Sequence, residues 1–430
     1  MESSIAKLLT LSNGKINIER IAFVTLYASM LAVFINNGLC IVLGPVMAAL
    51  MCYLFLKGHS EEIFAIIIVA NDALGTMFGG KISFPYLLLV LVIVKAFYKN
   101  AFTLREYCFG IVAICLSVQL YLMDDITLRQ LIYSAIFILA IISVRAKRET
   151  LDAFMRGVAM TVVVIALHAC ITGGVEFYEQ NIYSQEFLRR GILGVGIGDS
   201  NYSSFLLNIG IICIWCDDKI SRWVKLACVI PILYAMTLTL SASGLLMFLI
   251  ILVFGILLGK NKPKAIVVLL TAVIFILTVS FIYVNLPNDM RIESVDAYID
   301  RMEGKIDSLN EGDYDSFTTG RTGLTERYIE YFSTQGIGRY FFGGNKLMAV
   351  GDSFSHNTYV DFLIRFGLIG AFAFFAFVAI AFYKTVKGYA VDISKKRSIL
   401  LKVLCLFVAT NLTLIEGSLW AMWMYFLFMV

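Results

Sequence analysis

The sequence predicts an all-α fold: a polytopic membrane bundle of about 14 transmembrane helices, with a large extracytoplasmic loop that contains amphipathic helices. Three observations predict it. The chain is 60% hydrophobic and 15% charged, where a soluble domain runs nearer about 45–50% and about 25%. Its apolar residues fall into long runs separated by short polar turns. The stretch 287–355 breaks this pattern: its 69 residues hold 19 of the 66 charged side chains. This composition excludes a soluble globular protein, a nucleic-acid binder and a disordered chain.

Apolar spans read at roughly 21–36, 39–56, 62–79, 83–98, 107–123, 127–144, 155–173, 200–216, 223–240, 244–259, 265–286, 357–383, 398–414 and 417–430. A membrane helix needs about 20 mostly apolar residues, from about 17 upward. An even number of spans puts both termini on one side. With the N-terminus inside, cytoplasmic segments carry 23 of the 35 Lys and Arg, and short outer loops carry four: Lys81, Arg129, Arg189 and Arg190. This basic bias orients the bundle with both termini cytoplasmic and 287–355 outside. The domains are then a membrane bundle over 1–286, an outer loop over 287–356, and a second membrane part over 357–430. The polar N-terminal stretch has no cleavage pattern ahead of the first span and reads as an uncleaved anchor.

Two outer loops stand out. One, near 174–199, ends in Gly191-Ile-Leu-Gly-Val-Gly-Ile-Gly-Asp-Ser-Asn201. No strand precedes these glycines, so they do not form a dinucleotide site. In the other, Ile292, Val295, Tyr298, Ile299, Met302, Ile306 and Leu309 recur at helical steps, predicting a helix over about 290–310 ended by Asn310 and Gly312. Leu324, Tyr328 and Phe332 predict a second, stopped by Gly336 and Gly338. The first helix has an acidic polar face, which disfavours an anionic lipid surface, so both helices read as lids over a cavity. The nine cysteines lie in or beside the apolar runs, and Cys213-x-x-Cys216 reads as small packing residues rather than a metal or redox pair.

Of the three histidines, His59 sits in a cytoplasmic turn and His168 inside a span, where packing and a hydrogen bond to a neighbouring helix suffice. His356 opens an apolar run in Ser353-Phe-Ser-His-Asn-Thr-Tyr359, with Ser355 as the expected helix cap. On a straight helix it stands roughly 15 Å above the apolar run that begins at Phe366, at 1.5 Å per residue. Asp361 and Arg365, four residues apart, read as a mutually neutralising pair. Arg321, Arg327 and Arg339 surround the second amphipathic stripe, and a guanidinium fork fits phosphate bidentately. The loop's one Asp-x-Asp, Asp313-Tyr-Asp315, is not read as a divalent-metal site, so no metal or cofactor is expected.

Several of these strings resemble the bacterial O-antigen polymerase and O-antigen ligase family of membrane glycosyltransferases, mostly over 190–370. Gly320-Arg321 resembles the family's Gly-Arg in the large outer loop. Phe342-Gly343-Gly344 resembles its aromatic-glycine turn, and His356-Asn357-Thr-Tyr359, with Gly367-Leu-Ile-Gly370, its His-Asn-x-Tyr helix start. Asp199-Ser200-Asn201 resembles Asp-Pro-Asn, with Ser for Pro. One departure stands out: Leu240-Ser-Ala-Ser243-Gly244 has glycine where family members often carry arginine.

The resemblance implies a metal-independent, inverting transfer of a glycan from undecaprenyl diphosphate, at the outer face of the bacterial plasma membrane. It implies His356 as general base and Arg321 as the cation on the diphosphate. Arg327, Arg339, Arg189 and Arg190 would assist, and Asn201, Asn357 and Tyr359 would contact substrate. An unperturbed imidazole titrates near about 6.5, suited to a base at neutral pH. A polymerase would extend a lipid-linked repeat unit of O-antigen or capsule; a ligase would deliver the glycan to lipid A-core. The partners implied are the lipid-linked oligosaccharide, membrane lipid, a chain-length regulator and a flippase. A flippase is itself the rival reading of such a chain. It would place ionisable residues near the membrane midplane, which these spans lack.

Overall fold

The computed structural model describes residues 17–70, 84–98, 148–173, 200–217, 220–239, 241–257, 281–318, 320–344 and 357–391, with isolated positions at 110–139, 267 and 350. Among the described residues there is no strand. The bundle comprises α1 (Ile18–Ile35), α2 (Cys40–Leu56), α3 (Ser60–Val69), α4 (Phe84–Tyr98), α5 (Arg148–His168), α6 (Ser200–Cys216), α7 (Arg222–Leu238) and α8 (Ala242–Leu257). The segment expected to lie outside holds α9 (Glu293–Asn310), α10 (Tyr314–Thr318), α11 (Arg321–Ser333) and α12 (Ile337–Phe342), and α13 (Thr358–Val391) follows. Ile18–Ile35 and Asp152–Thr172 are long and apolar enough to cross a membrane, and Cys40–Leu56, Ser203–Cys216 and Gly244–Val253 are shorter apolar helices. The expected spans at 398–414 and 417–430 lie outside the described residues, as does most of 107–144.

Helix α5 is the axis of the bundle, packed by α1, α3, α6 and α7. Small residues set its closest approaches. A Cβ on Gly157 would sit 2.7 Å from the Ala65 Cβ of α3, and one on Gly210 of α6 would sit 2.4 Å from a Val162 methyl. Between membrane helices, where lipid is as apolar as leucine, such close packing supplies the attraction. The α5 helix runs on into a π-helical turn, Ala169–Gly173. There His168 packs edge-on against Phe34, with ring centroids 5.9 Å apart, and meets Thr172 Oγ1 at 3.3 Å. His59 joins three helices rather than capping a bare turn: its Nε2 lies 3.2 Å from Glu19, its Nδ1 lies 3.6 Å from Glu62, and Arg156 reaches Glu62 at 3.6 Å. Cys213 and Cys216 are buried and carry free thiols.

The helices α6 and α8 cross with a polar joint. Ser204 Oγ donates to Ser241 Oγ at 3.2 Å, and Asn208 Nδ2 donates to the Ser204 and Gly244 carbonyls at 2.9 and 3.0 Å. A Cβ on Gly244 would lie 2.4 Å from the Ser204 Cβ. This explains the departure from the family's arginine: at this crossing there is no room for any side chain. Gly244→Arg should therefore not restore a lost function. It should push the helices apart at a cost of about 1–3 kcal/mol or more, read as a lower yield and melting temperature of purified protein.

Both expected outer helices form. In α11 the stripe Leu324, Tyr328 and Phe332 is buried, as its helical spacing requires. In α9 the stripe stays largely open, with Ile306 and Leu309 exposed, so the first helix covers less than a closed lid would. The short helices α10 and α12 were not foreseen.

Candidate functional site

The site is built on a break. Gly367 has φ 65° and ψ −175°, which no helix permits, and it divides α13 into limbs 358–366 and 368–391. The limbs fold back on each other. Tyr359, eight residues before Gly367, stacks with its ring 4.9 Å from that of Phe375, eight residues after it, and Phe362 lies 5.9 Å from the same ring. A straight helix would separate residues 359 and 375 by about 24 Å. The expected single span over 357–383 is therefore a helical hairpin with Gly367 at its tip. The straight helix expected from Asn357 onward is corrected accordingly, because Asn357 starts beside the second limb instead of beyond it; His356 itself lies outside the described residues.

The tip is clamped by the outer segment. Gly344 N–H donates to the Arg365 carbonyl at 2.9 Å. Gln119 Nε2 donates to the same carbonyl at 3.1 Å and to that of Phe342 at 3.3 Å. The break frees carbonyls that a continuous helix would occupy, and these donors satisfy one of them. The two backbones touch so closely that side chains are excluded. A Cβ on Gly343 would meet the Arg365 oxygen at 2.2 Å, and one on Gly367 would meet the Phe341 oxygen at 2.4 Å. Gly343 also has φ 74°, a region that glycine enters at no steric cost. Two motifs that looked separate in sequence, Phe342-Gly343-Gly344 and Gly367-Leu-Ile-Gly370, are the two halves of this clamp. Sequence reasoning missed Gln119. The signal was an amide inside an apolar run, which needs a partner there.

Beside the clamp, α11 packs on the first limb. Leu324, Tyr328 and Phe332 form a small core with Val360 and Ile364. Asp361 and Arg365 are also buried, on successive turns of the limb. Burial pushes the Tyr328 hydroxyl up, the Val350 N–H bonded to it opposes this, and the charges of Asp361 and Tyr331 add to the rise. The phenol is thus held protonated. Tyr328 faces Asp361, and Phe332 stacks on Tyr340 at 4.9 Å, next to the segment that grips the tip. The two helices therefore run parallel, with their N-terminal ends, Arg321 and Asn357, together and away from the tip.

Arg321 opens α11 after Gly320, whose φ is 77°, and it is half-buried on the Leu324–Tyr328 face. The turn before it is fixed by Asp315: its carbonyl accepts from Gly320 N–H at 2.7 Å, and its Oδ1 accepts from Gly323 N–H at 2.9 Å. This carboxylate caps α11 from the preceding helix. Asp315→Ala should cost about 0.5–2 kcal/mol, seen as faster amide exchange at Gly323 and lower activity through Arg321.

The other arginines do not gather around it. Arg327 is exposed, and its Nε donates to the Gly323 carbonyl of its own helix at 3.3 Å. Arg339 is exposed on α12. Asn357 caps its helix: its Oδ1 accepts from Tyr359 N–H at 3.0 Å and Val360 N–H at 3.3 Å. This replaces Ser355 in the capping role. Tyr359 is half-buried against Phe375. Asn201 lies in the first turn of α6, its side chain outside the described set. His356, Arg189 and Arg190 lie outside the described residues.

No curated protein matches the chain. A family model described as O-antigen ligase matches residues 226–375. That range takes in α9 to α12, the clamp, the first limb of α13 and the sequence positions of Arg321 and His356. It is the resemblance already carried by the Gly-Arg, Phe-Gly-Gly and His-Asn-x-Tyr strings. Over residues 226–375 the chain is thus similar to the O-antigen ligase family.

Proposed function

We propose that the chain is a multi-pass glycosyltransferase of the bacterial plasma membrane, with both termini cytoplasmic and its site on the outer face. It transfers a glycan from undecaprenyl diphosphate to a sugar hydroxyl of a lipid-linked repeat unit, as a polysaccharide polymerase. The observation that carries this reading is the parallel pairing of α11 with the first limb of α13, inside the family-matched segment. It sets Arg321 at the same end as Asn357, the residue next to His356 in sequence.

In the proposed reaction, His356 takes the proton of the acceptor hydroxyl. That oxygen attacks the anomeric carbon, the bond from this carbon to the diphosphate oxygen breaks, and the configuration inverts. Undecaprenyl diphosphate leaves with the electron pair, and Arg321 stabilises its growing charge. Arg327, Arg339, Arg189 and Arg190 are secondary in this scheme. Covering of the site by the outer helices limits hydrolysis of the donor.

The ligase reading is kept because the matching family is described by that activity. Lipid analysis of a deletion strain separates the two. Single-repeat glycolipid without long chains identifies a polymerase, and long chains stranded on the lipid carrier identify a ligase. A strain with an unchanged glycolipid profile refutes both. Glycan transfer by purified protein in detergent, with no second compartment, would exclude transport as the sole activity.

A further inference from the structure

The short helix α10 presents both of its aromatic rings to solvent. Tyr314 is 62% exposed and Phe317 36%. Three residues apart, they share one face of the helix. Single exposed apolar side chains are ordinary, but here the open surface runs on into α9, where Ile306 and Leu309 are exposed too. Lys305 joins the two helices: its Nζ lies 5.7 Å from the centre of the Phe317 ring and donates to the Phe317 carbonyl. The backbone beneath the rings is fixed. Asp313 Oδ1 accepts from Ser316 N–H at 3.0 Å, and Asp313 N–H donates to the Ser308 carbonyl at 2.9 Å. The rings are open to a ligand on a mount that needs no ordering, which is what keeps the cost of binding low.

Charge narrows the choice of ligand. Residues 303–317 hold five carboxylates, Glu303, Asp307, Glu311, Asp313 and Asp315, and one cation, Lys305. All five acids are exposed. Such a surface repels an anionic headgroup layer, and acids interrupt it too often for an acyl chain. A pyranose suits both of its parts. The C–H face of the sugar packs on an aromatic ring, and its hydroxyls donate to carboxylates at the rim, in bonds strengthened by the charge. The position is also right. Asp315 Oδ1 binds Gly323 N–H at 2.9 Å and so holds α10 against the first turn of α11, the turn that carries Arg321. Packed helices lie about 8–10 Å apart, a distance that roughly two sugar rings span.

We propose that Tyr314 and Phe317 form a glycan-binding shelf, on which pyranose rings of the lipid-linked chain stack while its diphosphate lies at Arg321. The inference rests on the glycosyltransferase reading above and names the substrate class of the same site: neutral sugars, because uronic acids would meet the five carboxylates. The shelf holds the sugars nearest the diphosphate in line with the bond that breaks.

The probe is the oligosaccharide released by mild acid from the lipid-linked pool of the source strain. It is mixed with the full chain in deuterated detergent, and saturation-transfer NMR reads which of its protons touch the protein. Saturation of the protein's aromatic protons should pass to the ring C–H protons of neutral sugars. Tyr314→Leu and Phe317→Leu keep the apolar bulk and remove the ring, and each should weaken binding roughly two- to tenfold, as loss of an aromatic contact does. Unchanged binding in both variants overturns the shelf. So does the absence of transfer in the parent chain, or transfer confined to uronic acid rings. Tyr314→Leu, the more exposed of the two positions, carries the test if Phe317→Leu fails to accumulate. The glycosyltransferase reading fails by a different result, an unchanged glycolipid profile in the deletion strain.

Discussion

Replacing His356 with alanine is expected to stop chain growth while the protein remains in the membrane. A positioned general base contributes about 10²- to 10⁴-fold to a proton-transfer step. A polymer dozens of transfers long magnifies such a loss into the absence of long chains. The measurement is the length distribution of polymer in a deletion strain complemented with His356→Ala, alongside the amount of protein in the membrane fraction. A normal ladder of chains from that variant removes His356 from the chemistry. Arg321→Ala should give the same loss of polymer. Arg321→Lys should recover only part of it, because an ammonium keeps the charge but not the fork. Arg327→Ala, on the exposed side of α11, should change chain length little.

Gly367→Ala should disable the site by a different route. The backbone at Gly367 lies where non-glycine residues are strained by about 1–3 kcal/mol. The added methyl group would also meet the Phe341 carbonyl at 2.4 Å, and relieving such overpacking costs a further ~1–3 kcal/mol. The sum is enough to part the clamp without unfolding the bundle, whose core is formed mostly by other helices, with Phe362, Phe366 and Ala371 joining it from α13. Limited proteolysis should then cut between α12 and α13, and polymer should be lost while the protein stays in the membrane. Gly343→Ala should behave alike. Since both changes break one contact, the double variant should lose little more than either single one. Additive losses would show that the two glycines act separately.

How much of this was legible in the sequence depended on the reach of each interaction. The stripe Leu324, Tyr328 and Phe332 was readable because a helix repeats its face every three or four residues, and burial follows the face. The same phase separates Arg321 from Arg327. Six residues put them about 120° apart around the helix, although proximity in sequence grouped them. The break at Gly367 was not readable. Phe-Gly-Leu-Ile-Gly-Ala continues an apolar run without interruption, and membrane helices tolerate glycine. What enforces the break is the backbone of Phe341 to Gly344, more than twenty residues away. Gln119 was further out of reach, since its partners lie 223 and 246 residues along the chain. Two of the family strings hold the halves of the clamp, but the contact between them is a property of the folded chain alone.

The bond from Gly344 to Arg365 has one more consequence. It closes the chain into a ring at its neck, and the sequence around His356 lies within that ring. Residues added or removed there are absorbed inside it, and doubling a loop's length costs only about 0.6 kcal/mol in closure entropy. The neck, the paired limbs and the bundle need not respond. A chain built this way can remodel the part proposed to meet the acceptor sugar while keeping its scaffold. Descendants could thereby come to accept different glycans with few changes elsewhere.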